Sequence, residues 1–234
     1  MIRLLKVIGC AAVLLGLPIL VFASVDPEET LVGETEAEFN ELWNEALKLA
    51  SVSSSSKDLV WVSQIHEKVA EPFLTYWALD DLLSLLLGIH SEELSEPWRS
   101  QLIDALGVTL TRYVFEVLLD YDLNKKTIQN FEIQLTQDVP SIHATVAGPL
   151  GINVALQYIL LIRNDQVFIR DMEVATIRYS NWKKSFYQKY VKKGDWQGLI
   201  LALNKKNDRF FARFCEGSKD QVVMPVYIKT ACNI

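Results

Sequence analysis

Residues that build metal and nucleophilic centres are scarce in this chain. It has three histidines and three cysteines in 234 residues. His66, His90 and His143 fall in separate stretches and share no ligand spacing, so no metal site is expected. There is no Gly-x-Ser-x-Gly elbow, no phosphate-binding loop, no dinucleotide fingerprint and no Cys-x-x-Cys. Positive charge is also in deficit, with 23 Lys and Arg against 29 Asp and Glu. That balance argues against nucleic acid, whose affinity comes from neutralising phosphates. It argues equally against tight adhesion to an anionic membrane surface.

Long apolar runs are almost missing. The exception is Val7 to Phe22, which follows Arg3 and Lys6 and ends in Val21-Phe22-Ala23. A basic start, an apolar stretch and small residues at the cleavage positions make a secretory signal, with cleavage expected after Ala23. A membrane anchor is the rival reading, but Pro18 interrupts the run and it falls short of the roughly 20 residues a spanning helix needs. Val7-Ile8-Gly9-Cys10 also fits a lipoprotein signal, yet the apolar run follows Cys10 instead of preceding it. Removing Arg3 and Lys6 with the signal takes the formal charge from −6 to −8. The cysteines left are Cys215 and Cys232. In an exported chain they either pair, closing a short C-terminal loop, or stay as two buried thiols, and export favours the bridge.

Ser24 to Gly33 reads as an acidic, irregular lead. Thr35-Glu36-Ala37-Glu38 is a capping-box pattern from which a helix is expected to start, with Phe39, Leu42, Trp43, Ala46 and Leu49 at helical spacing. After a serine-rich break, Ser51 to Lys57, a second helix from Asp58 is expected to stop at Pro72. Leu79 to Leu87 is a leucine-rich helix ending at Gly88. A long helix follows from Glu96 to Tyr121, with Trp98, Leu102, Leu106, Leu110, Tyr113, Val117 and Tyr121 in one stripe. Beyond Lys126 the period changes from 3.6 to 2. Four strands follow: Phe131 to Leu135, Ser141 to Ala147, Ile152 to Ile162 and Gln166 to Tyr179, with turns at Gly148-Pro149-Leu150-Gly151 and Asn164-Asp165. Helix returns at Asn181, with Trp182, Phe186 and Tyr190 on one side, and again over Gln197 to Lys206. The tail holds Phe210, Phe211 and Phe214 and an expected strand, Val222 to Ile228. Helices, then a meander, then helices define an α+β class: helices on one face of a curved four-stranded antiparallel sheet, able to close as a cone around an apolar pocket.

Few residues offer chemistry. Asp80 and Asp81 are adjacent in a helix and point in different directions. Asp171 and Glu173 lie two apart on a strand and share a side, either as an exposed patch or as a buried pair able to serve an enzyme. The leucine and aromatic stripes read as core. Lys183, Lys184, Lys189, Lys192 and Lys193 read as a solvated face, or as a patch meeting a phosphate headgroup or an acidic partner.

The stretch from Pro72 to Asn207 resembles the MlaC, or toluene-tolerance, family, the periplasmic phospholipid-binding component of the Mla system. The resemblance rests on Pro72, on Leu87-Gly88, on Tyr113 and Tyr121 and on Leu156-Gln157-Tyr158. It also rests on Asp171, on Asn181-Trp182-Lys183-Lys184-Ser185-Phe186, and on Gly194 with Gly198-Leu199-Ile200 and Leu203. Val167 stands where the family carries a tryptophan, and the tail with Cys215 and Cys232 lies outside the shared pattern. The resemblance implies a cone-like sheet with helices around a deep apolar pocket. It also implies a phospholipid as cargo, an inner-membrane ABC transporter and an outer-membrane lipoprotein complex as partners, and neither catalysis nor a cofactor. The expected organisation is a signal over 1–23, an acidic segment and helix over 24–57, the lipid-binding domain over 58–207 and an extension over 208–234. Alternation, the helical stripe and the tyrosines shared with the family nominate pocket residues. They are Phe131, Ile133, Leu135, Leu156, Tyr158, Phe168 and Met172 on strands and Leu106, Leu110, Tyr113 and Val117 on the long helix. The competing readings are an enzyme using Asp171 or Glu173 on the same scaffold, and a structural envelope protein with a filled core.

Overall fold

The computed structural model describes residues 27–51, 58–120, 128–135, 140–147, 153–215 and 225–232. The apolar N-terminal run, Cys10, the expected cleavage after Ala23, the Gly148–Gly151 turn and Tyr121 lie outside these residues, and so do the side chains of Phe131, Ile133 and Leu135.

Helix α1, Pro27–Ala50, begins earlier than the capping-box pattern indicates. Proline is tolerated in a first helical turn, so a start at Pro27 costs the helix no backbone hydrogen bond. Thr35 is therefore interior, and its hydroxyl donates back to the Leu31 carbonyl at 3.0 Å. Asp58 caps helix α2, Leu59–Ile65, by accepting from the Val60 and Trp61 amides at 3.0 and 3.1 Å. Pro72 does not stop this helix. A π-helical turn, His66–Ala70, widens the coil, and Pro72 enters at the start of helix α3, Glu71–Thr75, where its missing N–H costs little. Helix α4, Leu79–Leu87, buries Leu82, Leu83, Leu86 and Leu87 and ends at Gly88, whose φ of +63° suits glycine. Helix α5 spans Glu96–Asp120.

The sheet is a five-stranded antiparallel meander, in the order β1 Ile128–Leu135, β2 Pro140–Ala147, β3 Asn153–Arg163, β4 Gln166–Val174 and a stub, β5 Ile177–Arg178. It stays open, with β1 and β5 as its ends, so helices and not strand closure complete the enclosure. The β5 stub arises because Ala175 and Thr176 turn at φ 48° and 72°, which ends β4 well before Tyr179. Along β4, Ala78 N–H donates to the Ile169 carbonyl at 2.9 Å, and Trp77 bridges to Ile169, so the α3–α4 connection covers part of that edge.

Helix α6, Tyr179–Val191, buries Tyr179, Tyr187 and Val191, while Trp182 is largely exposed. The expected Trp182 stripe is thus one position off the inward face. Helix α7, Trp196–Phe211, outruns its expected end because Phe210 and Phe211 pack inward. The tail is a helix, α8, Val226–Cys232, instead of a strand. Its β-branched residues favoured a strand, but packing on the phenylalanines and a Cys215–Cys232 disulfide, Cα–Cα 5.4 Å, override that preference.

The buried side chains form two clusters, and α5 runs through both. Its Leu102, Ala105, Leu106 and Leu110 join the sheet, α4, α6 and α7. Its Phe115 and Leu118 join α2, the end of α1, Phe210, Phe211, Phe214 and Ile228. Each such fully buried leucine or phenylalanine contributes about 1.5–3 kcal/mol.

Candidate functional site

The strand register decides which side chains can face the helices. Tyr158 lies opposite both Ile142 and Met172, and Leu156 opposite Ala144 and Val174. Residues directly opposite share a face. Phe131 and Ile133 occupy the positions opposite Ala144 and Ile142, and Leu135 that opposite Pro140. The register therefore assigns Leu156, Tyr158 and Met172 to one face, continued by Leu160, Ile162, Val167 and Ile169. Ile142, Leu160 and Ile169 are at most 3% exposed and belong to the helix-packed cluster.

Phe168 is not on that face. The register shifts between Ile159 and Leu160, where Arg170 is an extra residue in β4. The bulge reverses the phase, so Phe168, opposite Leu161, sits with Ile159 and Asp171 on the other side. Val117 is also misplaced, at 51% exposed. Beyond Tyr113 the neighbours of α5 change from the sheet to α2 and the tail, and the buried stripe rotates to Phe115 and Leu118. Leu106 and Leu110 are buried in the sheet-side cluster, and Tyr113 packs at its margin.

Aromatic rings close the interior between α1, α3 and β3. Phe39 meets Tyr76, Tyr158 and Phe73 at ring-centroid distances of 4.8, 5.7 and 6.1 Å, and Phe73 meets Tyr158 at 6.2 Å. Desolvation pushes the Tyr158 hydroxyl to about 12. Burial together with the hydrogen bond to Glu38 pushes Tyr76 to about 12 as well. These rings are neutral, and all but the tilted Phe39–Phe73 pair meet edge-to-face, contacts worth about 0.5–1.5 kcal/mol per pair beyond area burial. Where α5, α6 and α7 meet, a cavity of about 30 Å³ opens into roughly 280 Å³ of free space that includes solvent. It is lined in part by Tyr113, Tyr179 and Tyr187.

The nominated carboxylates are structural. Asp171 is 2% exposed. It accepts from the Met172 amide at 2.9 Å, the Ser180 amide at 3.2 Å and the Ser180 hydroxyl at 2.5 Å. Arg178, at the N-cap of α6, makes no side-chain cap, so Asp171 serves that helix end from the neighbouring strand. Glu173 pairs with Arg178 at 3.7 Å. Asp80 and Asp81 hold different arginines, Arg99 at 2.6 Å and Arg163 at 3.1 Å, tying α4 to α5 and β3. The histidines are apart: His66 bonds Tyr227, His90 meets Glu93, and His143 meets Ser141. Among the described residues no group of three potential metal ligands occurs, and no helix is long and apolar enough to cross a membrane.

An open antiparallel meander carrying helices on one face, with apolar and aromatic side chains between them, defines a class of α+β domains with an apolar interior. The MlaC protein family matches residues 47–205, more than half of the chain, and the protein belongs to that family. Among solved structures it is similar to a phospholipid-binding protein from Ralstonia solanacearum, determined in complex with a phospholipid. That likeness has 16% sequence identity and a TM-score of 0.57, over 75% of this chain and 97% of that one, and it concerns the fold. A comparison with curated proteins finds no match.

Proposed function

We propose that this protein binds phospholipid by its acyl chains between the inner sheet face and helices α1, α3 and α5, and carries it across the periplasm. The observation that supports this reading is an apolar face on β2 to β4, covered by uncharged aromatic contacts, in a member of the MlaC family. Sequestering a chain there would gain about 0.8 kcal/mol per CH₂. Pockets for ligands of that size span about 300–1,000 Å³. The closely packed rings and leucines must therefore part to admit a chain, with α1 and α3 moving off Tyr158. On this reading the chain is the soluble component of an Mla-type system. It would exchange lipid with an inner-membrane ABC transporter and an outer-membrane lipoprotein complex after cleavage behind Ala23, with no cofactor and no catalytic step. Asp171, committed to three donors, does not recommend an enzyme.

A second reading, a structural envelope protein, is favoured by one observation: Leu106 and Leu110 are at most 3% exposed in a filled core. Native mass spectrometry of the purified exported protein separates the two. A carrier arrives with a phospholipid mass that organic extraction removes. A chain that stays lipid-free after export and after incubation with phospholipid vesicles rejects the carrier reading.

A further inference from the structure

The cavity where α5, α6 and α7 meet has a chemistry that an acyl chain does not need. Three cations converge on it: Arg112 from α5, Lys183 from α6 and Lys206 from α7. Arg112 is 7% exposed. Its Nε stands 3.2 Å from Glu116 Oε1, yet that N–H is not aligned with it and has no hydrogen-bond partner among the described residues. The Tyr187 hydroxyl, on a residue 1% exposed, is likewise buried in the cavity wall without a partner among those residues. Leaving such groups unpaired is costly unless something comes to meet them.

The cations are held in place by ring faces. The Arg112 guanidinium carbon is 4.7 Å from the Tyr113 ring centre, and Lys183 Nζ is 5.1 Å from the same ring. Lys206 Nζ lies 3.8 Å from the Phe186 centroid. These contacts position charge without neutralising it. Glu116 is the carboxylate that pairs with Arg112, and the three cations exceed it. Desolvation and the charges of Arg112 and Lys183 hold the Lys206 ammonium below its usual range, the signature of like charges lacking a counter-ion. Of the five lysines that the sequence groups together, only Lys183 lines the cavity. Arg112 comes from α5, distant in sequence, and Lys206 from the following helix, α7.

We propose that Arg112, Lys183, Lys206 and the Tyr187 hydroxyl form a binding site for a phosphoryl anion. A guanidinium fork, two ammonium groups and a phenolic donor around a small, partly enclosed space match the tetrahedral oxygens and negative charge of a phosphate. The anion is either the headgroup phosphate of a lipid or free phosphate. The site stands on its own geometry and does not depend on the carrier reading.

The test is isothermal titration calorimetry of the full exported chain with sodium phosphate, against sodium chloride at matched ionic strength to remove screening. Saturable binding at millimolar phosphate is expected, weakened about tenfold or more in Lys206→Gln, which sits on the exposed rim, and in Arg112→Gln. Tyr187→Phe, which only removes a hydroxyl, should weaken binding by about threefold or more while leaving the melting temperature unchanged or raised. A second arm titrates a short-chain phosphatidylglycerol below its micelle concentration into phosphate-saturated protein. Competition assigns the site to a lipid headgroup, whereas independent binding assigns it to free phosphate. Absence of saturable phosphate binding, or binding equal in wild type, Lys206→Gln and Tyr187→Phe, overturns the proposal. Lipid found by mass spectrometry in that case would leave the carrier reading standing, and phosphate binding in a lipid-free chain would do the reverse.

Discussion

Truncating Asp171 tests whether the strand-borne carboxylate is what seats helix α6. The residue is buried and its carboxylate takes three donors, two of them from Ser180 in the first turn of the helix. Asp171→Ala removes an N-cap acceptor, worth about 1 kcal/mol. It leaves the buried Ser180 hydroxyl without its acceptor, worth about 1–3 kcal/mol. It also removes a negative charge from the positive end of the helix dipole, worth about 0.3–1 kcal/mol. The desolvation of a carboxylate offsets part of this sum, so the expected loss is about 2–4 kcal/mol. For a chain of this size that is a fall in Tm of roughly 4–16 °C. Asp171→Asn keeps one acceptor oxygen and should lose about 1–2 kcal/mol. Ser180→Ala alone should lose about 1 kcal/mol. Urea unfolding of the two alanine variants and their double mutant gives the coupling, expected at about 1–2 kcal/mol. Single effects that add to within about 0.5 kcal/mol would refute the clamp, because groups that do not share an interaction behave additively.

Other consequences follow from the same geometry. Replacing Cys215 and Cys232 together with serine opens a link between residues 17 apart and should lower stability by about 3 kcal/mol, read as a drop of roughly 6–12 °C in calorimetry. An unchanged melt would mean that the packing of α8 alone holds the tail. Burial holds His66 below its ordinary 6.5 against the opposing pull of Glu71 and Glu67. The unfolded chain therefore binds the proton more readily, and this contribution to stability is present above about pH 6.5 and lost as pH falls through the lowered value. His66→Gln should flatten the acid side of the Tm profile, and an identical slope in wild type and variant would dismiss the assignment. Leu110→Trp overpacks a residue 3% exposed and should cost about 1–3 kcal/mol while reducing co-purified lipid. A destabilised variant with its full lipid load would place the acyl chains away from Leu110.

The α+β class, the order of elements and the meander were legible because two periods, 3.6 and 2, survive in the sequence without alignment. Two of the errors share a cause: a single residue of phase that only packing fixes. Phe168 alternates correctly with Met172 on paper, and the bulge at Arg170 moves it to the other face. Trp182 sits at helical spacing from Phe186 and Tyr190, yet the inward face is set by Tyr179 and Tyr187, which dock against α4 and α5. Val117 follows its stripe until the partners of α5 change. Pro72 read as a stop because a π turn leaves no mark in composition. The cation cluster was out of reach for a different reason. Lys183 was visible in a run of lysines, but Arg112 and Lys206 join it only when three helices pack.

The two clusters along α5 are bound by different kinds of contact. The tail cluster carries the disulfide, the Trp61 indole hydrogen bond to the Leu49 carbonyl at 2.8 Å and the Tyr227–His66 bond. These are directional or covalent ties that resist sliding. The sheet-side cluster is tied at its rim by Asp80–Arg99, Asp81–Arg163 and the Asp171 clamp, whereas its seam under α1 is rings and methyl groups, with the Tyr76–Glu38 bond at the edge. Apolar contacts are nearly indifferent to which carbon they touch, so an acyl chain can replace them at little cost. A directional bond admits no such exchange. On the proposed reading, the tail cluster therefore anchors α2, the C-terminal end of α1 and the far half of α5 while α3 and the part of α1 around Phe39 give way over Tyr158. Cargo would enter where the ties are weakest, and the fold would survive its release because the disulfide-bearing cluster does not take part.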